Sequence, residues 1–133
     1  ATPTAPLPRA YLGNVLAVPA EGPVPYQGKL YLTDTVPALC AIGDGLGLII
    51  ALPPIPTRAI APDQARLEIY RKHDGSGALL ELEHHGAYRQ LQPGDEVVLE
   101  ETWILDAYAG GPTLADRAAW AATQIEASLP SSR

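Results

Sequence analysis

The sequence is poor in cysteine and in basic residues, and each shortage excludes a class of protein. Cys40 is the only cysteine among 133 residues, so neither an intrachain disulfide nor a cysteine-based zinc cluster can form, and its apolar neighbours suggest a buried thiol. The nine Lys and Arg residues are scattered and face fifteen Asp and Glu residues, which gives a formal net charge of −6. Such a chain would repel a phosphate backbone, so we expect no nucleic-acid partner.

Long apolar runs are also missing. The most apolar window, residues 46–52, is far shorter than the ~20 residues that a membrane helix needs, and no signal-peptide pattern opens the chain. We therefore expect a soluble protein with no membrane partner, although the sequence indicates no particular compartment. The chain also contains no methionine, so we expect its first residue, Ala1, to follow some processing step.

Residues that interrupt regular structure are abundant. The 14 Pro and 12 Gly residues break helices and end strands, a balance that favours many short strands joined by turns. A chain of this length can support one apolar core, so we expect one domain.

Two hairpins are predicted from their turn residues. The first surrounds Gly43-Asp44-Gly45, where glycine permits the positive φ of tight turns, and it joins residues 38–42 to residues 46–52. Because residues 46–52 are almost continuously apolar, we expect that strand to be covered on both faces. The second hairpin joins residues 65–72 to residues 77–85 through a turn at His73-Asp74-Gly75-Ser76.

Other segments predict further strands. Residues 11–18 have apolar spacing compatible with a strand, and the proline-rich residues 19–27 predict a loop. Residues 29–33 alternate, with Leu30 and Leu32 on one face, which indicates a half-buried strand.

The last strand is predicted after a Pro93-Gly94 turn and covers residues 96–105. The link is short, so we expect this strand to be the antiparallel neighbour of residues 77–85. We also expect Trp103 to be largely buried beside Leu105, because large aromatic side chains dominate small cores.

Near the carboxyl terminus, Thr113 can cap a helix together with Asp116, and apolar residues recur at helical spacing. The predicted fold class is all-β, an antiparallel β-sandwich over residues 11–108 with one C-terminal α-helix at residues 112–129. Residues 1–10, which are rich in proline, predict a flexible N-terminal segment.

The densest polar cluster lies on one predicted strand. Alternation sends Glu81, Glu83 and His85 to the same face, with neighbours about 6.5–7 Å apart, close enough for like charges to raise one carboxylate towards the pKa of a general base. The same face could also be merely solvated. Glu83, His84 and His85 are of the types that bind zinc, but adjacent strand residues diverge and a third ligand is not evident. We therefore expect no metal and no cofactor.

The order of several motifs resembles the C-terminal part of the galactose mutarotase (aldose 1-epimerase) family. The residues that carry the resemblance are Leu67-Glu68-Ile69-Tyr70, Leu82-Glu83, Leu91-Gln92-Pro93-Gly94-Asp95-Glu96 and Thr102-Trp103. The resemblance implies about half of that family's β-supersandwich, and it places the family's catalytic base on Glu83. The family's catalytic acid is a histidine of the N-terminal half, which these residues do not include.

Three hypotheses follow. The first is a carbohydrate-binding domain that recognises a sugar on a sheet face, and the candidate binding residues are Glu81, Glu83, His85 and Arg71 as hydrogen-bonding groups, with Tyr70 or Tyr88 as a stacking platform. The second is an aldose 1-epimerase-type enzyme with Glu83 as base and His85 as the nearby candidate acid, and the sequence leaves open whether the domain is catalytic. The third is a structural or interaction domain in which the cluster is solvated and the terminal helix mediates self-association through Trp120 and Ile125. Separately, the cover that residues 46–52 need could come from another chain, so we expect a homodimer or a partner chain that completes the sandwich.

Overall fold

The strands of the described residues form three antiparallel sheets. A computed structural model describes residues 6–20, 22, 24–32 and 38–128. The elements in chain order are β1 (Ala10–Leu12), β2 (Val15–Ala17), β3 (Tyr26–Leu32), β4 (Ala38–Gly43), β5 (Leu46–Ala51), a 3-10 turn (Thr57–Ala59), β6 (Leu67–His73), β7 (Ala78–His84), β8 (Thr102–Ala107) and α1 (Leu114–Ser128). Their orders are β1-β2, β3-β6-β7 and β4-β5-β8. The predicted fold class is confirmed: the described chain is mostly antiparallel β-structure with one C-terminal α-helix.

Both predicted hairpins are confirmed. β4 and β5 pair from Gly43 opposite Leu46, and the intervening Asp44 and Gly45 have φ of 51° and 74°. Positive φ at both positions is what a two-residue hairpin turn requires. β6 and β7 pair over their full length, and in their turn Asp74 accepts hydrogen bonds from the Ser76 amide and hydroxyl.

The core lies between the two larger sheets. Leu30, Leu67 and Ile69 of the β3-β6-β7 sheet share a buried cluster with Leu39 of the other sheet. As predicted, Leu30 is on the core side of β3, whereas Lys29 and Tyr31 lie on the opposite face. The strand prediction for residues 29–33 ends outside the described residues at Thr33.

Two predictions concern the amino-terminal part. Residues 11–18 are not one strand, because Gly13, with φ of 63°, turns the chain and makes β1 and β2 a two-stranded ribbon. In the predicted flexible segment, residues 1–5 lie outside the described residues. Leu7, however, is only 2% exposed and belongs to the core cluster, so the described part of that segment is packed.

The strand predicted for residues 96–105 is confirmed only from residue 102, where β8 begins, and its predicted pairing partner is wrong. The Pro93-Gly94 turn forms, with the Asp95 amide donating to the Gln92 carbonyl at 2.9 Å, but no strand flanks it. Residues 85–101 instead cross from one sheet to the other, so β8 pairs with β5 and not with β7. β8 is an edge strand of its sheet, which leaves Trp103 63% exposed instead of buried.

The predicted helix is confirmed, and it covers one face of the β4-β5-β8 sheet. Thr113 and Asp116 cap it reciprocally, since the Asp116 amide donates to the Thr113 hydroxyl and the Thr113 amide donates to the Asp116 carboxylate. The Trp120 ring lies against Gly47 and makes an edge-to-face contact with Tyr108. None of the described helices is long and apolar enough to cross a membrane.

Candidate functional site

The candidate site is a polar cluster of Lys29, Glu68, Glu83 and His85 on the outer face of the β3-β6-β7 sheet. Register brings its members together: Glu68 is opposite Tyr31 on β3 and opposite Glu83 on β7. Because side chains alternate along each strand, the apolar residues of the same strands point to the core. The same alternation therefore builds both the core and the cluster.

Glu68 is the buried centre of the cluster. Its side chain is fully excluded from solvent, its Oε1 accepts a hydrogen bond from the Ala65 amide at 2.9 Å, and its Oε2 lies 2.6 Å from Lys29 Nζ. Burial by itself would raise the pKa of Glu68, but the hydrogen bonds from Lys29 and Ala65 outweigh it, so the pKa lies below the ordinary glutamate value. Glu68 is therefore ionised at neutral pH.

Lys29 bridges the two carboxylates. Its ammonium lies 2.6 Å from Glu68 Oε2 and 2.9 Å from Glu83 Oε2. The hydrogen bonds to Glu68 and to Glu83 raise the pKa of Lys29 well above the ordinary value. The ammonium also lies 5.7 Å from the centre of the Tyr31 ring, within cation–π range.

His85 completes the cluster at the end of β7. Its Nε2 lies 3.5 Å from Glu68 Oε1 and 4.0 Å from Glu83 Oε2. Its main chain is fixed by Arg66, which accepts a hydrogen bond from the His85 amide and donates one through its guanidinium to the His85 carbonyl. The imidazole is thus held beside both carboxylates by a buried arginine.

Only two of the predicted site residues, Glu83 and His85, lie in this cluster. Glu81 is exposed on the same face, opposite Tyr70, and Tyr70 in turn is opposite Lys29. Tyr88 is 65% exposed and lines a neighbouring cleft of about 300 Å³ together with His85 and Leu99.

Arg71 is not on the predicted binding face. It alternates to the core side of β6, where it is 4% exposed, donates to the Pro19 carbonyl at 3.0 Å and lies 5.5 Å from the centre of the Tyr26 ring. Including Arg71 among the hydrogen-bonding groups of that face was wrong, because residues an odd number apart on a strand point to opposite faces.

Sequence reasoning missed Glu68 and Lys29 as site residues. Glu68 shares its face with Tyr70, and Lys29 shares its face with Tyr31, so the local alternation was visible in each strand. What the sequence did not show is the pairing of β3 with β6, which joins residues far apart along the chain.

The cluster also contains a set of residues of the types that bind metals. Ligand atoms of Glu68, Glu83 and His85 lie within 4.8 Å of one another. The Lys29 ammonium, however, already contacts both carboxylates, so a divalent cation would have to compete with a positive charge that the chain supplies.

The cluster is accessible on one side. The side chains of Lys29, Glu83 and His85 are each about 30% exposed (30%, 28% and 30%), whereas Glu68 is fully buried. A bound molecule could therefore donate hydrogen bonds to Glu83 and accept them from Lys29, while Glu68 holds Lys29 in place.

Comparison with known proteins gives one family. The family described as "Domain of unknown function (DUF4380)" matches residues 14–106, which include every strand from β2 to β7 and most of β8. No curated protein and no solved structure matches the chain.

Proposed function

We propose that this chain, which belongs to the DUF4380 family, binds a carbohydrate on the outer face of the β3-β6-β7 sheet. The description of that family assigns no activity. The observation that carries the proposal is the fixed, partly exposed group of Lys29, Glu83 and His85, with the Tyr31 ring beside Lys29. Sugars present hydroxyls that both donate and accept hydrogen bonds, and their C–H faces stack on aromatic rings.

The chemistry of the group suits such a ligand. Glu83 accepts hydrogen bonds from hydroxyls, Lys29 donates them, and the Tyr31 ring, 55% exposed and 5.7 Å from the Lys29 ammonium, offers an apolar platform. The ion pairs hold these side chains in place before binding, which lowers the entropy lost when a ligand binds. The resemblance of the surrounding motifs to galactose mutarotases, in which Glu83 takes the place of the base, supports the same class of ligand.

An aldose 1-epimerase activity is the second candidate, because His85 lies close enough to Glu83 for an acid and a base to act on one sugar. Glu83 would remove the proton of the anomeric hydroxyl, and protonated His85 would donate to the ring oxygen. Binding is favoured over catalysis because the Lys29 ammonium, 2.9 Å from Glu83 Oε2, already occupies an oxygen that a base would use to take the proton.

The test compares Glu83→Gln with Glu81→Gln. Both glutamates lie on the same face of β7, but only Glu83 contacts Lys29 and His85. Titration calorimetry against monosaccharides, guided by a glycan array, measures affinity, and polarimetry with α-glucose and α-galactose measures mutarotation. We expect Glu83→Gln to weaken binding by about 1–3 kcal/mol, the scale of a lost charged hydrogen bond, and Glu81→Gln to leave binding nearly unchanged.

Three outcomes decide between the hypotheses. Mutarotation that falls about 10²–10⁴-fold in Glu83→Gln would establish the epimerase instead. Equal losses in both variants would show that the face binds without the cluster. Absence of both binding and turnover would contradict the proposal and leave a structural or interaction domain.

A further inference from the structure

β8 is an edge strand with one side of its backbone unpaired among the described residues. It pairs with β5, and no other described strand pairs with it. The Tyr108 amide donates to the Gly45 carbonyl, on the β5 side. Since main-chain groups alternate along an antiparallel strand, the amides and carbonyls of Trp103 and Leu105 point away from β5. The Ala107 amide, on that outer side, donates to the Asp106 side chain.

The same edge carries exposed apolar side chains. Trp103 and Leu105 are 63% and 66% exposed, and both lie on the face opposite Ile104. The segment before β8 adds Val97, Val98 and Leu99, which are also exposed. A long apolar edge of this kind promotes pairing with another strand, and proteins ordinarily cover or charge such edges.

The charged residues that surround β8 along the sequence are all acidic. Between Arg89 and Arg117 the chain has no basic residue, and its acidic residues there are Asp95, Glu96, Glu100, Glu101, Asp106 and Asp116. A second copy pairing through β8 would bring carboxylates of one copy towards those of the other, which costs energy. A segment with lysine or arginine beside its apolar residues would instead be complementary.

We propose that β8 is a docking edge for an extended segment of another protein, with alternate apolar side chains and flanking basic residues. The segment would add a fourth strand to the β4-β5-β8 sheet, with main-chain bonds to Trp103 and Leu105 giving affinity and register. Trp103 is the anchor, because a large aromatic side chain at an interface contributes most when it becomes buried. The edge belongs to the sheet that does not carry Glu83.

Labelled synthetic peptides test the proposal by fluorescence anisotropy. The first is a short peptide of alternating valine and lysine, and the second replaces lysine with glutamate. The third has a proline in the middle, which removes one ladder donor and interrupts the pairing. We expect the first peptide to bind, more weakly at high salt, and the other two to bind at least about tenfold less well. Binding of the first peptide should also slow hydrogen exchange at the Trp103 and Leu105 amides.

Two variants locate the binding edge. Trp103→Ala should weaken the valine–lysine peptide at least about tenfold. Leu80→Ala removes another exposed apolar side chain, 51% exposed, from β7, an edge strand of the other sheet, and should leave affinity unchanged.

The proposal is overturned if the valine–lysine peptide does not bind, if the proline or glutamate peptide binds equally well, or if Leu80→Ala weakens binding as much as Trp103→Ala. Sedimentation gives a further check. A dimer of the chain alone that Trp103→Ala dissociates would make a second copy the occupant of the edge and would also overturn the proposal.

Discussion

At the scale of single residues, the least ordinary feature is a fully buried carboxylate. Glu68 has no exposed surface, and its charge is balanced by the Lys29 ammonium at 2.6 Å and by the Ala65 amide. A buried charge that loses its partner is costly, whereas an exposed ion pair contributes little. Lys29 therefore has a structural role in addition to any contact with a ligand.

The first prediction is that Lys29→Met lowers the free energy of unfolding by about 3 kcal/mol, because it leaves Glu68 charged and buried. The value is at the lower end for such a change because Lys29 itself is partly exposed. Urea denaturation measures it. Lys72→Met is the matched control, since Lys72 pairs with Asp74 at 2.9 Å where both side chains are partly exposed, and it should change stability little.

A second substitution checks the cause. If the cost arises from the unpaired charge of Glu68, adding Glu68→Gln to Lys29→Met should recover part of the lost stability. If the losses of the two single variants simply add in the double variant, Lys29 and Glu68 are not coupled. The argument from burial would then be wrong.

The second prediction concerns pH. Burial lowers the pKa of His84, with Glu101 at 3.5 Å acting in the opposite direction, and the bonds to Lys29 and Ala65 lower the pKa of Glu68 despite burial. Below the ordinary values of about 6.5 for imidazole and about 4.3 for glutamate, the unfolded chain therefore binds more protons than the folded one. Stability should fall as the pH falls from about 7, first through His84 and then through Glu68.

Urea denaturation across this pH range measures the decline. His84→Gln should flatten the part that begins near pH 6.5 and leave the more acidic part in place. A wild-type curve that is flat between pH 7 and pH 5, or one that His84→Gln does not alter, would contradict the assignment.

At the scale of elements, α1 and the central strand β5 are joined through a glycine. A Cβ on Gly47 would come closer to the Trp120 ring than any real contact allows, so the ring occupies the place of a side chain. Gly47→Ala should therefore force the helix outward and cost about 1–3 kcal/mol, the range for overpacking. Calorimetric melting measures the change.

Gly43→Ala is the control for that prediction. Gly43 lies in the same hairpin, with nothing within 4 Å of the added Cβ, and should change stability little. If Gly47→Ala is as stable as Gly43→Ala, the packing of Trp120 against β5 is not what fixes the helix.

The elements that the sequence predicted are those whose formation is local. Gly43-Asp44-Gly45 and His73-Asp74-Gly75-Ser76 specify their turns by their own φ angles and side-chain hydrogen bonds, and Thr113 caps α1 with a residue three positions away. The partner of the last strand was mispredicted because β8 pairs with β5, far away along the chain. The Pro93-Gly94 turn therefore did not determine the pairing.

In the candidate site, too, the residues predicted from the sequence are those whose placement depends on one strand alone. Glu83 and His85 were predicted because two residues on one strand share a face whatever the strand pairs with. Glu68 and Lys29 were missed because their approach depends on the register of β3 with β6 and of β6 with β7. Arg71 was misassigned although the alternation along β6 places it on the face opposite Glu68 and Tyr70.

At the scale of the whole molecule, a buried arginine joins the two larger sheets. Arg66, 5% exposed, donates from Nη2 to the Pro53 carbonyl at 2.8 Å and from Nη1 to the His85 carbonyl. Pro53 follows the strand β5 of one sheet, and His85 follows β7 of the other. One guanidinium therefore fixes the ends of both sheets and, through His85, one corner of the candidate site.

The last prediction is that Arg66→Met lowers the free energy of unfolding by about 2 kcal/mol. The variant removes two hydrogen bonds from a charged donor, and water only partly replaces them at the Pro53 and His85 carbonyls. Under the proposed function, the same variant should also weaken sugar binding, since His85 loses the donor that holds its carbonyl. Arg58→Met, at an exposed position in the 3-10 turn, is the control and should change stability by less than about 0.5 kcal/mol. Arg66→Met with full stability and unchanged hydrogen exchange at the ends of β5 and β7 would show that packing between the sheets holds them together without the arginine.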